Sequence, residues 1–516
     1  MLDATRNGAD RASQLTIGEL LRVQARIKPD AIAVVDKGRE YTYSHFNART
    51  NQAANFLSAR GVRHGDRIAV LSENRVEFVE LMFAAAKLGV IICALNWRLA
   101  AAELRHCIDL VQPKLMFVSP RFSNLMSEAT SGEARPVTFG NSYEDYLQAG
   151  SKGEPEIGAR PEDGLLILYT SGTTGLPKGA LMSHRAEVAR MQVSCIDMSL
   201  APGDAFVAWT PMFHMVSTEM LIQVMCLGGK VIIVDGYQLD VLLELIRTQP
   251  QWWLILLPGV IQEVVDALRQ RNLTPAGLKR IGSMADLVPR HLLAEVTTLL
   301  RAPYANTFGS TESGIPPCSG GFIPIGASPD KLSKQQNVLC DLKLVDENDN
   351  EVPDGHAGEA AVRGPTVFSG YWNDPKANDA VFRGGWFHMG DVFVRNEQGT
   401  LDFTDRVKYL IKSGGENIYP AEIERILLSD PRVDEAIVVR KRDDHWGEIP
   451  IAFVSRNDKR LTAEDLLAAC RKALAGYKMP KGVHFVSMDE WPRNVTGKIQ
   501  RDKVEAWFAS GIPIER

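Results

Sequence analysis

The sequence predicts an α/β protein in two parts: a large N-terminal domain of helix-covered β-sheets with a β-rich subdomain, then a small α+β C-terminal domain. Three observations predict it. Through most of the chain, short β-branched runs alternate with helix-like stretches, the pattern of sheets covered by helices. From Gly358 onward the texture shifts to short strand-like runs separated by glycine-rich turns. After residues 405–408 a compact unit begins, which sets a boundary there and leaves about a hundred residues for the second domain.

In chain order, residues 66–71 read as a strand and 75–88 as the helix that follows it. The pairs 230–234 with 239–247, and 253–257 with 260–269 after a Pro-Gly break, repeat the pattern. The β-rich part offers strands at 359–363, 391–395 and 400–405. The C-terminal unit reads as a helix at 421–428, strands at 433–440 and 448–454, and a helix started by Thr462 that ends near Gly476. Asp465, three residues after Thr462, suits a capping box. There is no internal repeat and no low-complexity segment.

With 516 residues, 45% hydrophobic and 23% charged, the chain has the composition of a folded protein with a large core. A net charge of −5 carries no nucleic-acid or polybasic membrane footprint. No apolar run approaches the length of a membrane span, and the polar opening residues lack a signal-peptide core. Seven scattered cysteines form no CxxC pair, which argues against a disulfide framework or a zinc site. The expected setting is a reducing cytoplasm, with no nucleic-acid partner and no integral membrane association.

Residues 169–179 read Tyr-Thr-Ser-Gly-Thr-Thr-Gly-Leu-Pro-Lys-Gly and directly follow the apolar run 165–168. Hydroxyls, glycines and one lysine offer backbone N–H groups and a cation to an anion with little bulk in the way. Polyphosphate is the natural guest. The segment departs from a Walker loop twice: Pro177 stands where its second glycine belongs, and Gly179 where its Mg²⁺-binding hydroxyl belongs. Gly, Ser, Thr and Pro are ordinary loop residues; the length of the run and its lysine set it apart.

Five further segments carry candidate chemistry. Thr307-Phe308-Gly309-Ser310-Thr311-Glu312 sets a carboxylate beside hydroxyls, a pattern able to hold Mg²⁺ near phosphate. Asp391, after Gly390, can accept two hydrogen bonds from ribose hydroxyls. Arg406, in Asp405-Arg406-Val407-Lys408, can anchor a ribose or a phosphate. Gly414 and Gly415, ahead of a proline-started helix at Pro420, mark a sharp turn where a ligand can pass close to backbone. Lys498 follows Gly497 near the C-terminus. Each is ambiguous alone; a lone lysine on a turn is usually a solvated charge.

In this order and together, these segments resemble the adenylate-forming superfamily of acyl-CoA synthetases, carrier-protein adenylation domains and firefly luciferase. The resemblance covers essentially the whole chain. It points to the acid–CoA ligase branch, similar to fatty-acyl-CoA and 4-coumarate–CoA ligases. It implies two steps: a carboxylate attacks the α-phosphorus of ATP to give an acyl-adenylate and pyrophosphate, then a thiol displaces AMP. ATP, Mg²⁺ and CoA are the implied cofactors and substrates. By motif position, Thr170, Ser171, Gly172, Thr173, Thr174, Gly175 and Lys178 cradle the β- and γ-phosphates. Thr311 contacts the α-phosphate, Glu312 and Thr170 hold Mg²⁺, and Lys498 bridges carboxylate and α-phosphate. Ser283, Ala285, Asn306, Thr307, Phe308 and Gly309 line the adenine pocket, while Asp391 and Arg406 take the ribose. His214 matches the family's aromatic position between acyl pocket and thiol channel. The resemblance also implies a mobile C-terminal domain: residues 1–405 and 409–516 flank a hinge at 406–408, with Lys408 at the hinge position. Rotation withdraws Lys498 and presents Gly414 and Gly415 to the adenylate.

Free CoA and a carrier protein's pantetheine are both compatible acceptors, and CoA is preferred. Arg98, Tyr477 and Lys481 match positions where CoA ligases contact the 3′-phosphoadenosine, whereas Met479 stands where a related ligase carries arginine. The stand-alone loading of a carrier protein is the alternative. Amino-acid-activating relatives place an Asp just after the motif holding His214; here Met215-Val216-Ser217-Thr218 follow. The expected pocket walls are Met215, Val216, Ile255, Leu257, Gly259, Gly314 and Ile315, which suit a medium-chain, aryl or alicyclic acid. Asp286 reads as a turn residue before a helix near Pro289. The acid itself stays open, as does homodimerisation.

Overall fold

The computed structural model describes residues 12–132, 135–156, 158–171, 176–414, 416–443, 445–493 and 499–507. The chain divides into two compact units. The first holds Met1–Pro329, Gln335–Asp341 and Val362–Phe387; the second holds Asp330–Lys334, Leu342–Ala361 and His388–Arg516.

In the first unit a six-stranded sheet runs in the order Val137–Thr138, Leu115–Val118, Arg67–Leu71, Ile91–Ala94, Gly164–Ser171, Pro177–Ser183. Its strands pair in parallel except the last, which returns antiparallel. Strands covered on both faces read as unbroken apolar runs, and Ile91–Ala94 is buried at every position. The helix Val76–Leu88 is buried along almost its whole length and ends on Gly89 at φ 67°, the left-handed cap that glycine tolerates. A four-stranded sheet of Arg39–Thr42, Ile32–Asp36, Lys230–Ile233 and Ala205–Ala208 forms a second layer system.

A third sheet places Gln251–Leu254, Leu278–Ile281 and Tyr304–Ala305 in parallel, with Phe322–Ile323 antiparallel at its edge. The strand expected at 253–257 sits earlier, at Gln251–Leu254, because Gln251 and Trp252 are also buried. Residues 255–257 instead lead into a one-turn helix at Pro258–Val260; a proline ring disfavours helix in the residue before it and has no N–H for a ladder.

The five strands Asp341–Val345, Ala357–Arg363, Phe382–Arg383, Trp386–Arg395 and Leu401–Arg406 form the β-rich sheet. A separate sheet orders Glu416–Ile418, Ile411–Ser413, Gly447–Arg456 and Val433–Asp443, with Val483–Phe485 added in parallel. The helices Pro420–Leu427 and Ala463–Ala473 cover it through a core of Ile411, Ile423, Leu427, Val438, Leu466 and Cys470. Thr462 and Asp465 form the expected capping box: Asp465 N donates to the Thr462 hydroxyl at 3.2 Å, and Thr462 N to the Asp465 carboxylate at 3.0 Å. Among the described residues no helix is long and apolar enough to cross a membrane.

Candidate active site

The two ends of the phosphate-loop segment lie on a pair of antiparallel strands. Gly164–Ser171 is the first and Pro177–Ser183 the second, with Thr170 opposite Lys178 and Ser171 opposite Pro177. Leu165, Leu166, Ile167 and Leu168 are all buried in the stem, and Thr170 and Lys178 stand opposite each other near its end. Gly172, Thr173, Thr174 and Gly175 lie outside the described residues. On the return strand, Leu181 N donates to Gly370 O at 3.0 Å, Ser369 N to Leu181 O at 2.8 Å, and Trp372 N to Gly179 O at 2.7 Å. Residues 369–372 thus run along the hairpin.

This brings in a residue that motif reading missed. The Tyr371 ring lies under the Lys178 ammonium, 5.1 Å from its centroid, and the Tyr371 hydroxyl donates to Glu312 Oε1 at 2.8 Å. Lys178 and Glu312, 134 positions apart in sequence, are therefore joined through one side chain. Phe368 N also donates to Glu312 O at 2.8 Å. The only sequence hint of Tyr371 is the run Ser369-Gly370-Tyr371-Trp372, an aromatic pair on a glycine turn.

The adenine and acyl candidates leave one end of one sheet. Gln251–Leu254, Leu278–Ile281 and Tyr304–Ala305 are adjacent and parallel. Their carboxyl ends deliver Ile255, Leu257 and Gly259; then Ser283 and Ala285; then Asn306, Thr307, Phe308 and Gly309. Parallel α/β sheets present ligands at this end. Ala285, Asn306 and Thr307 are buried, and Ser283 O accepts the Tyr304 hydroxyl at 2.8 Å. Asp286 lies in a single turn, Ala285–Leu287, before the helix Arg290–Leu300. Ile255 and Ile315 are buried; Ile255 O accepts Trp209 Nε1 at 2.9 Å. Gly314 and Ile315 sit on the strand Gly314–Cys318, which pairs with Phe308–Ser310.

His214 is the N-cap of the helix Met215–Cys226, so Met215 and Val216 open that helix. Burial, then the nearby Arg98 charge, lowers its imidazole to about 4, which leaves it neutral at physiological pH. Arg98 lies 4.8 Å from the Trp97 ring centroid, and Trp97 packs edge-on against Phe213 at 5.7 Å. The loop of Arg98 is thereby held beside the His214 segment.

The remaining candidates belong to the second unit. Asp391 is 1% exposed and stands opposite Arg406 in the sheet, where Arg406 Nε donates to Asp391 Oδ1 at 2.8 Å. The neighbouring Asp405 carboxylate accepts Ala421 N at 2.7 Å, tying the strand end to the helix Pro420–Leu427. Gly414 adopts φ +59° and donates N–H to Trp446 O at 2.8 Å. Tyr477, in a short turn Gly476–Lys478, and Lys481 are exposed. Gly415 and Lys498 lie outside the described residues.

The residues present fit ATP and Mg²⁺. One Glu312 oxygen takes the Tyr371 hydroxyl, and the other accepts no hydrogen bond among the described residues. A single carboxylate with a nearby hydroxyl is the sparse protein ligand set that Mg²⁺ takes alongside substrate phosphates.

The AMP-binding enzyme family model matches residues 21–372, and the AMP-binding enzyme C-terminal domain model matches 422–498. The chain is 33% identical over 511 residues to an indoleacetate–CoA ligase of Aromatoleum aromaticum, covering 96% of this chain and 98% of the relative. It superposes on the o-succinylbenzoate CoA synthetase of Bacillus subtilis in complex with its acyl-adenylate intermediate, with TM-score 0.82, 26% identity and 96% and 98% of the two chains covered. It superposes equally on ATP-bound MatB of Rhodopseudomonas palustris, with TM-score 0.82, 27% identity and 96% and 99% covered. The chain belongs to the AMP-binding enzymes, the adenylate-forming superfamily, in its acid–CoA ligase branch.

Proposed function

We propose that this chain joins an aryl or similarly compact apolar carboxylic acid to CoA at the expense of ATP. The observation that carries the reading is the linked set Thr170, Lys178, Tyr371 and Glu312, in the same unit as the apolar walls Met215, Ile255 and Ile315. The names of the similar proteins, which act on indoleacetate and o-succinylbenzoate, support an aryl acid.

In the first step a carboxylate oxygen attacks the α-phosphorus, an acyl–O–P bond forms, and the bond to pyrophosphate breaks. Anion meets polyanion, so charge must be offset by fixed donors. Thr170, Ser171, Gly172, Thr173, Thr174, Gly175 and Lys178 hold the departing β- and γ-phosphates. Thr311 donates to the α-phosphate, and Lys498 bridges it to the attacking carboxylate. Glu312 and Thr170 would hold Mg²⁺, which would supply positive charge against the phosphates. Ser283, Ala285, Asn306, Thr307, Phe308 and Gly309 enclose adenine, and Asp391 accepts the ribose hydroxyls, oriented by Arg406. In the second step the thiol sulfur attacks the acyl carbonyl and AMP leaves with the bonding electrons. Neutral His214 flanks this channel without adding charge. Residues 409–516 turn about 406–408 between the steps, so that Gly414 and Gly415 replace Lys498. Arg98, Tyr477 and Lys481 take the nucleotide end of CoA.

The test is a panel of aryl, alicyclic and medium-chain acids assayed for AMP release with and without CoA. We expect AMP and a CoA thioester to form together with at least one aryl acid. AMP release that ignores CoA across the whole panel refutes the assignment.

A further inference from the structure

We propose that Arg190, to which the motifs give no role, is a positioning residue: its buried guanidinium holds the Thr311–Glu312 turn in register with the acyl wall for adenylation. The inference rests on the ligase reading above. Arg190 lies in the helix His184–Asp197, which directly follows the return strand of the phosphate hairpin. Its side chain is fully buried.

Each nitrogen of the guanidinium goes to a different part of the site. Nη2 donates to Thr311 O at 3.2 Å. Nε donates to Thr366 O at 2.9 Å, at the start of the segment whose Phe368 N and Tyr371 hydroxyl both bind Glu312. Nη1 pairs with Glu219, on the Met215–Cys226 helix that follows His214. The aliphatic part of the same side chain lies against Gly314: a Cβ added there would come within 2.8 Å of Arg190 Cδ. One side chain thus touches the α-phosphate turn, the turn that leads to the segment binding the Mg²⁺ carboxylate, the acyl-wall helix and an acyl-wall glycine. Lysine has one nitrogen and cannot reach these acceptors in fixed geometry.

The cluster is also an expensive way to gain stability. Glu187 Oε1 lies 3.7 Å from Arg190 Nη1, so two fully buried carboxylates surround one guanidinium. Neither Glu187 oxygen finds a hydrogen-bond partner among the described residues. Apolar residues of similar volume commonly replace a buried ion pair at no loss of stability. A demand for register accounts for what a demand for stability does not.

The test uses the full chain, with the most active acid of the panel and its synthetic acyl-adenylate. Arg190→Lys and the double variant Arg190→Met/Glu219→Leu are assayed in both half-reactions, with thermal midpoints. The double variant removes both charges together, and Glu187, pushed up by burial, stays protonated, so no buried charge is left unpaired. We expect acid-dependent ATP–pyrophosphate exchange to fall about a hundredfold in kcat, the scale of a misplaced reacting group. Conversion of supplied acyl-adenylate by CoA stays within about threefold, and the double variant's midpoint is unchanged or raised. Exchange within about threefold of the parent in a folded double variant overturns the proposal, as does equal loss of both half-reactions. If neither variant folds, the cluster is a folding element and the positioning role is refuted. A parent chain with no acid-dependent exchange for any acid instead overturns the ligase reading, and this inference with it.

Discussion

Glu187→Gln should make the chain more resistant to alkaline pH, and the structure supplies the size of the effect. Burial, and then the charge of Glu219, push the Glu187 carboxyl from its ordinary 4.5 up to about 8, against the pull of Arg190. The folded state therefore holds a proton that the unfolded chain gives up above pH 4.5. Stability falls as pH rises whenever the folded state binds more protons. The loss accrues from the unfolded value of 4.5 to the folded value near 8 and is flat above it. One proton corresponds to about 1.4 kcal/mol per pH unit, so the parent should lose about 2 kcal/mol between pH 6 and 8 relative to Glu187→Gln. Glutamine keeps the shape of the protonated acid and cannot ionise. Cys226, whose thiol is itself raised by burial and by Glu187, faces the same cluster and stays neutral throughout this range. Urea unfolding of both proteins at pH 6, 7 and 8, followed by the fluorescence of buried Trp252 and Trp253, measures the difference. An infrared carboxylic-acid band lost in the variant at pH 7 supports it. Parallel stability curves, or an unchanged band, refute a protonated Glu187.

Four further outcomes test the site. Tyr371→Phe removes the hydroxyl on Glu312 and should slow adenylation about five- to tenfold, the scale of one hydrogen bond, with a raised Mg²⁺ requirement; an unchanged Mg²⁺ titration refutes the link. Gly414→Ala forces a side chain into φ +59° and to within 2.7 Å of the Trp446 ring; thioester formation should slow while pyrophosphate exchange persists, and a variant equal to the parent in both refutes the thiol-channel role. Lys498→Ala should abolish adenylation yet spare thioester formation from a supplied acyl-adenylate; equal loss of both steps refutes separate roles. His214, lowered to about 4, is deprotonated at every pH above that value, so the pH–rate profile should lack a step near 6.5 that disappears in His214→Phe. Such a step, if present, shows a titrating His214.

What the sequence could and could not disclose follows from how far apart the partners lie. The apolar run at 165–168 was legible as a strand because its evidence is local, but the return strand Pro177–Ser183 was not: residues 169–179 read as one loop, and Thr170 falls opposite Lys178 only once the two strands pair. The parallel strands were legible for the same reason, since burial on both faces leaves continuous apolar runs. Tyr371 was not legible. Its contact with Glu312 spans 59 positions, and nothing in a Gly-Tyr-Trp run says which carboxylate it will meet. Arg190 is the more instructive case. Glu187 and Arg190, three apart on a helix, carry no signal in the sequence that marks them as core, because charged residues are almost never fully buried unless paired. The helix instead packs against the Met215–Cys226 helix and the Gly314–Cys318 strand, and the pair becomes core. Only the tertiary fold adds Glu219, 29 positions away, and turns a unit of local helix chemistry into a cluster carrying more carboxylates than cations. A charge on a helix thus changes meaning with what covers it, and here the covering elements are those that carry the proposed acyl wall.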